Sequence, residues 1–481
     1  MDNRFQELFI NFLDDDSLLN IFYHCQPVLL DEVSVRISQG GDWDRERWWY
    51  KLAQVCRRWR ALILDSPTHL GLNLLCTYGT PVAEMLARSP CRPLILDYKD
   101  HDVTSEEEEG IMLALQHHHD RVRRIRLGPL PFPKLQKIIM AMDKEFPDLD
   151  FLHIAPPHKH AAGLELPDTF QAPRLRHLTL MGFSFPIIPP FLAAVVGLAT
   201  LSLQNLPPSA YFCPDDLLQQ LSSLPQLETL TVTFKSPVRS RVLGTQLSHR
   251  PITTKVTLPN LRWFWYGGVS TYLEAILSRM TIPRLEWLQI TFFHQLHFFM
   301  PNVLKLAENL TFSSAEFQFL NDFLRVLVYP REGAAIYTFA IQISSRHLDW
   351  QVAFATQIFS RMRTALSAAK YLRLEFRRSY TSLEANNEAD CTQWRELLGT
   401  FNNVRTLRVN VDYLGQISRA LQVDNGELPS KLFPNLRKLE YSARGGNPFA
   451  TFANVHTNAA GLPVTLVNHS TLPFPIAVFE S

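Results

Sequence analysis

One phrase recurs along this chain and limits what it can become. It appears as PDLDFLHI (147–154), PRLRHLTL (173–180), LATLSL (198–203), PQLETLTV (225–232), PNLRWFWY (259–266), PRLEWLQI (283–290), NVRTLRV (403–409) and PNLRKLEY (434–441). The shared frame is Pro-x-Leu-x-x-Leu-x-Leu. Its first apolar position falls at 149, 175, 198, 227, 261, 285, 404 and 436, so successive copies lie 26, 23, 29, 34, 24, 119 and 32 residues apart. Alternating leucines make a strand with one apolar face. A short strand cannot bury that face alone, so the copies must stack on one another.

The 119-residue gap accommodates weaker copies, for which AEFQF (315–319), YTFAIQIS (337–344) and YLRLEF (371–376) are candidates. Upstream, LGLNLL (70–75), PLILDY (93–98) and VRRIRL (122–127) extend the series. Several intervals carry helical patterns: VAEMLARS (82–89), DVTSEEEEGIMLALQHH (102–118) and PDDLLQQLSSL (214–224). A strand–helix unit recurring every 20 to 35 residues or so is the signature of leucine-rich repeats. The expected fold class is therefore α/β: an irregular leucine-rich-repeat solenoid, a curved parallel sheet with helices outside. Its period is uneven and the asparagine of tight repeats is mostly missing, so distortion is expected at 235–257 and 292–367. The expected organisation is a helical module at 1–69 with a loop insertion at 25–48, a solenoid at 70–442, and a C-terminal cap or tail at 443–481.

Residues between the leucines face away from the core. In three successive units they read Glu228, Thr229 and Thr231; Arg262, Trp263 and Trp265; and Glu286, Trp287 and Gln289. Tryptophan and arginine dominate binding hot spots because they bury much area at low entropic cost. Arg262, Trp263, Trp265 and Trp287 are therefore the candidate target-binding residues. Two alternatives stand beside that reading: a loop or the tail covers the tryptophans, or the frame is off by one and they point inward.

The N-terminal module has a different pattern. Trp49, Leu52, Cys56, Trp59 and Ile63 recur at helical spacing, with Lys51, Gln54, Arg57, Arg58 and Arg60 largely on the other side. This predicts one amphipathic helix over 49–64, ended by Pro67. Upstream, FLDDDSLLNIFYHC predicts a short helix with Asp14, Asp15 and Asp16 at its positive end. Leu18, Leu19, Ile21 and Phe22 make that helix apolar on more than one side. Such a helix needs two partners: the 49–64 helix, and a second one of another origin.

The order Leu13-Asp14-Asp15-Asp16-Ser17-Leu18-Leu19-Asn20-Ile21-Phe22, then Val55-Cys56-Arg57-Arg58-Trp59-Arg60, resembles an F-box. That motif opens Leu-Pro, continues with Leu-Leu and Ile-Phe, and ends Val-Cys-[Arg/Lys]-x-Trp. Asp14 stands where the motif has proline, and the gap between blocks is long. Both features resemble the F-box-like variant of large fungal families, as do the continuation SPTHLGLNLLCTYGTPVAEML and the segment HLDWQVAFATQIF (347–359). The resemblance implies docking on a Skp-type adaptor, and through it a cullin, in a ubiquitin ligase. Carried onto this chain, Leu13, Asp14, Leu18, Ile21, Phe22, Val55, Cys56 and Trp59 are the motif residues that form its core and adaptor face. The repeats would then hold a protein target. The alternatives are an ordinary helical cap and a basic nucleic-acid face, and a solvated helix surface accounts for the arginines without either.

Composition narrows the remaining classes. The net charge is +1, so no long-range field draws in nucleic acid or anionic membrane. The six cysteines are scattered without C-x-x-C spacing and read as reduced thiols. The N-terminus has acidic residues where a signal peptide needs a basic start, and no apolar run reaches the roughly 18 residues that span a bilayer. An intracellular protein, cytoplasmic or nuclear, is expected. No P-loop, G-x-S-x-G, H-E-x-x-H or G-x-G-x-x-G occurs. The histidines at 117–119, 153, 158 and 160 and the acids at 106–109 read as solvated side chains near helix ends. The expectation is a non-catalytic adaptor, a monomer within its complex, with no catalytic residue, metal or cofactor.

Overall fold

The computed structural model describes residues 13–26, 48–66, 69–80, 82–88, 92–99, 103–157, 164–183, 190–208, 213–237, 253–295, 297–298, 300–310, 312–377, 391–410, 414–422, 432–443, 447–460 and 463–469. Most of the expected loop insertion (27–47), part of the expected distortion (238–252), His158, His160 and the end of the tail (470–481) lie outside the described residues. The chain divides into two compact units, residues 1–185 with 189–200, and residues 201–481 with 186–188.

The first unit begins with three helices, α1 (Asp15–His24), α2 (Trp48–Ala53) and α3 (Arg57–Asp65). They enclose a small core of Leu18, Phe22, Trp49, Ala53 and Ile63, continued by Leu70 and Leu72 at the start of the repeats. Five strands follow: β1 (Leu74–Thr77), β2 (Leu94–Tyr98), β3 (Val122–Leu127), β4 (Phe151–Ile154) and β5 (His177–Met181). They are parallel neighbours in chain order. Leu96, Ile125, Leu152 and Leu178 share one register row and are fully buried or nearly so. Burial of each such side chain contributes about 1.5–3 kcal/mol. The helices α4 (Val82–Arg88), α5 (Ser105–His117) and α6 (Phe132–Met140) lie between successive strands. α5 and α6 bury Ile111, Ala114 and Leu115, and Leu135, Ile138 and Ile139. α5 opens on a capping box, Thr104 with Glu107. Glu107 also accepts from the Gly79 amide at 2.7 Å, and Glu108 pairs with Lys137 at 2.6 Å. These two acids are buried rather than solvated as expected, each accepting from a group of a neighbouring repeat.

The second unit continues with β6 (Thr200–Leu206), α7 (Pro214–Ser222), β7 (Thr229–Phe234), β8 (Val256–Thr257), β9 (Trp263–Gly268), α8 (Ser270–Leu277), β10 (Met280–Thr281), β11 (Trp287–Phe292) and α9 (Pro301–Glu308). β8 and β10 pair as a separate two-stranded sheet. Next come β12 (Ser314–Leu320), β13 (Phe323–Tyr329), β14 (Phe339–Ser344), α10 (Leu348–Phe359), α11 (Arg363–Leu366), β15 (Tyr371–Arg377), α12 (Cys391–Leu398), β16 (Thr406–Val409), α13 (Leu414–Leu421), β17 (Lys438–Tyr441), α14 (Ala450–Ala460) and β18 (Thr465–Asn468). The spatial order is β6-β7-β9-β11-β14-β13-β12-β15-β16-β17-β18.

All pairings described in this unit are parallel except those of β13, which runs antiparallel to both β14 and β12. This interruption falls within 292–367, where distortion of the parallel sheet is expected. The strands read at 315–319, 337–344 and 371–376 are present as β12, β14 and β15, but β13 lies between the first two. The link from β12 to β13 is Asn321-Asp322, too short for a parallel crossover and right for a hairpin. Gln351 of α10 is fully buried beneath this hairpin, and its side-chain nitrogen donates to the carbonyls of Leu320 at 2.9 Å and Ser345 at 2.7 Å. Behind the sheet α10 packs on α12, and α12 on α13. Trp394 of α12 is completely buried against Phe319 and Phe376.

Asparagine at the repeat starts has a structural use where it does occur. The side chains of Asn260, Asn403 and Asn435 donate to the carbonyls of Pro225, Ser367 and Asn402, tying each repeat to the one before.

Candidate functional site

Two surfaces gather the residues singled out by the sequence. The first is the helical cap. The expected single helix over 49–64 is two helices, broken at Cys56, whose backbone is extended (φ −156°, ψ 170°). Its thiol accepts from the Trp59 amide at 3.4 Å and so caps α3. Cys56 is therefore exposed, not part of an apolar stripe. Leu18 and Phe22 are the inner face of α1, and Phe22 meets Trp59 edge-on with ring centres 4.8 Å apart. Leu13 and Trp59 are half-buried against this core. Ile21, Tyr23 and Val55 point to solvent, at 45, 51 and 60 % exposure.

Asp14 is the N-cap of α1. Its carboxylate accepts from the Ser17 amide at 2.7 Å, which holds it below the usual carboxylate range. Arg58 reaches across from α3, forks onto Asp15 at 2.8 and 3.1 Å, and donates to the Leu13 carbonyl at 2.6 Å. Arg60 donates to the Ala53 carbonyl at the end of α2. Two arginines read as solvated are thus clamps between helices.

The second surface is the outward face of the second unit's sheet. Phe264, Tyr266, Leu288 and Ile290 are buried in the core, so Trp263, Trp265 and Trp287 lie on the opposite face and the frame is in register. All three are half-buried. Trp263 and Trp287 are adjacent in register, with rings 5.5 Å apart. Trp287 lies 5.7 Å from Tyr337, and Tyr337 lies 6.4 Å from Tyr329. A row of four aromatic rings crosses the strand ends. The Tyr337 hydroxyl donates to Gln289 at 2.8 Å, and burial raises its pKa. Trp265 sits one row along, between Thr231 and Gln289, and its buried indole nitrogen has no acceptor among the described residues. Arg262 is not in the row; it forks onto Glu286 at 2.9 and 2.8 Å on the rim.

Sequence reading did not find Tyr329 and Tyr337. Tyr329 ends β13, the strand that was missed, and Tyr337 precedes β14. Beyond the row the face turns ionic. Arg373 pairs with Glu375 and lies 3.9 Å from Glu316, while Glu440 receives Lys438 at 2.6 Å and Arg408 at 3.9 Å.

Among the described residues no group of three or more His, Cys, Asp or Glu side chains could hold a metal ion. No described helix is long and apolar enough to cross a membrane. His153, on the outward face of β4, is half-buried, and desolvation with Arg126 and Lys99 nearby lowers its pKa from 6.5 to about 4.

The fold and these surfaces define a class: α/β units of leucine-rich-repeat type, with a helical cap on the first. No protein-family model matches the chain, and no curated protein matches it in sequence. Among solved structures it is similar to one described as the crystal structure of a TLR13–ssRNA13 complex, at 13% identity and a TM-score of 0.34, covering 82% of this chain and 49% of that one. The chain thus spans about half the length of that neighbour.

Proposed function

We propose that this chain is the target-recognition adaptor of a cullin–RING ubiquitin ligase. Its cap docks a Skp-type adaptor and its repeats hold a protein target. The observation that carries the reading is the division of labour in α1 and the α2–α3 turn. Leu18 and Phe22 close the cap's own core, while Ile21, Tyr23 and Val55 are left exposed. Four of the nine large apolar side chains exposed among the described residues, these three and Leu64, lie in the cap, which is where a partner must dock. The resemblance to the F-box-like pattern names that partner. The chain itself forms and breaks no bonds; it holds target lysines close to the transfer machinery and so raises their effective concentration. The aromatic row of Trp263, Trp287, Tyr337 and Tyr329 is the proposed target contact, with Trp265 beside it one row along the strand.

The second reading is a leucine-rich interaction scaffold without ligase association. Asp14 favours it, because an exposed carboxylate stands where the F-box pattern has proline.

Co-expression with a Skp-type adaptor followed by pull-down separates the two. Retention of wild type and its loss in Ile21→Asp plus Val55→Asp is expected of the ligase adaptor. No retention of a folded wild type leaves the scaffold. Leu18 and Phe22 are unsuitable as controls, since charges there would unfold the cap.

A further inference from the structure

Just before each strand one residue sits on the rim, and its backbone amide bonds to the carbonyl of the equivalent residue one repeat earlier. Three runs of this pattern carry charged residues at three successive rim positions; the first continues to Ala199 and the third begins at Ser313. In the first unit Asp150 donates to Arg123 and Arg176 to Asp150, at 2.8 and 2.9 Å. In the second unit Arg262 donates to Glu228 and Glu286 to Arg262, both at 2.9 Å. Later in the second unit Arg405 donates to Lys370 at 2.7 Å and Arg437 to Arg405 at 2.9 Å. The first two series alternate in sign, and their charges pair: Arg123 with Asp150 at 2.9 Å, Arg262 with Glu286 at 2.8 Å. The third series is Lys370, Arg405, Arg437. It carries three positive charges and no acid.

All three of these side chains are exposed. Strand spacing sets their backbones about 5 Å apart, a track of about 10 Å in all. Like charges this close repel, and the other two series show how this fold removes such repulsion. The acids nearest in sequence register do not serve the rim: Glu375 and Glu440 are buried on the sheet face with Arg373, Arg408 and Lys438. Beside Lys370 and Arg405 lies an open groove of about 570 Å3, edged also by Ser313, Ser367, Asn403 and Asn435.

We infer that the Lys370–Arg405–Arg437 rim is a docking edge for an acidic segment of a protein partner, two or more carboxylates in succession lying across the strand ends. Guanidinium forks suit planar carboxylates. A nucleic-acid strand fits less well, because the basic track is short, the net charge is +1, and the rim positions themselves hold no aromatic ring to stack a base. This edge stands whether or not the cap docks a ligase adaptor.

The test uses the full chain and a fluorescent peptide of eight alternating Asp and Glu residues, read by polarisation at low and physiological salt. Expected is salt-sensitive binding that weakens at least about tenfold in Lys370→Gln/Arg405→Gln/Arg437→Gln, consistent with the loss of three exposed ion pairs. Arg123→Gln, on a rim series whose charges are paired, leaves it unchanged. The triple variant also melts at or above the wild-type temperature at low salt, since it relieves repulsion, which shows that loss of binding is not loss of fold. Binding that is absent in wild type, or equal in the triple variant, overturns the inference. So does tighter binding of a single-stranded RNA of equal charge.

Discussion

At the scale of single residues the fold has points that tolerate no change. Gly128 follows β3, and a Cβ added there would lie 1.6 Å from the Lys99 carbonyl oxygen. Only a backbone shift makes room, so Gly128→Ala is expected to cost about 3 kcal/mol or more, read by urea denaturation. Gln351 is a second such point. Gln351→Leu keeps the volume but removes both donors beneath the β12–β13 hairpin, at a cost of about 1–3 kcal/mol. His153 sets a pH dependence. The folded state holds its pKa at about 4 against 6.5 unfolded, so between those values the unfolded chain binds the proton first. Stability from this residue is present above pH 6.5 and falls as pH drops toward 4. His153→Phe should flatten that part of the stability–pH curve, and NMR titration should find the wild-type imidazole neutral down to about pH 4. None of these points was visible in the sequence, because each depends on what a neighbouring repeat brings against the residue.

At the scale of elements, legibility followed periodicity. Leucine alternation located β4, β5, β6, β7, β9, β11, β16 and β17, and it placed Trp263, Trp265 and Trp287 on the face opposite the core, because a period of two admits only two faces. It missed β13, because FLRVLVY is apolar at six of seven positions and shows no leucine alternation. β13 also runs antiparallel to both neighbours, outside the strand–helix repeat that the other strands share. In the cap the apolar spacing over 49–63 read as one helix, yet Cys56 breaks it. Helical spacing survived the break because α2 and α3 face the same core, with Trp49 and Ile63 both buried in it. The inner role of Leu18 and Phe22 was legible; the clamp by Arg58 was not, since it joins residues 43 apart in sequence. Arg58→Ala is expected to raise amide exchange throughout α1 while leaving β3 to β5 protected, measured by hydrogen exchange with mass spectrometry.

At the scale of the whole molecule, three proposed tasks fall in three places: adaptor docking at the cap, target contact at the aromatic row, and an acidic segment at the basic rim. Each task uses surface that the fold does not need for itself. Ile21 and Val55 lie outside the cap core, the aromatic row lies opposite the leucines, and the third rim series lacks the acids that balance the other two. The central claim is that the cap docks a Skp-type adaptor. Its most direct test is calorimetric titration of the purified chain with the purified adaptor, beside the Ile21→Asp/Val55→Asp variant. The account predicts binding at about micromolar Kd or tighter for wild type, about −8 kcal/mol, and none for a variant that keeps its circular dichroism spectrum. A folded wild type that gives no heat at tens of micromolar, or a variant that binds as well as wild type, would contradict it.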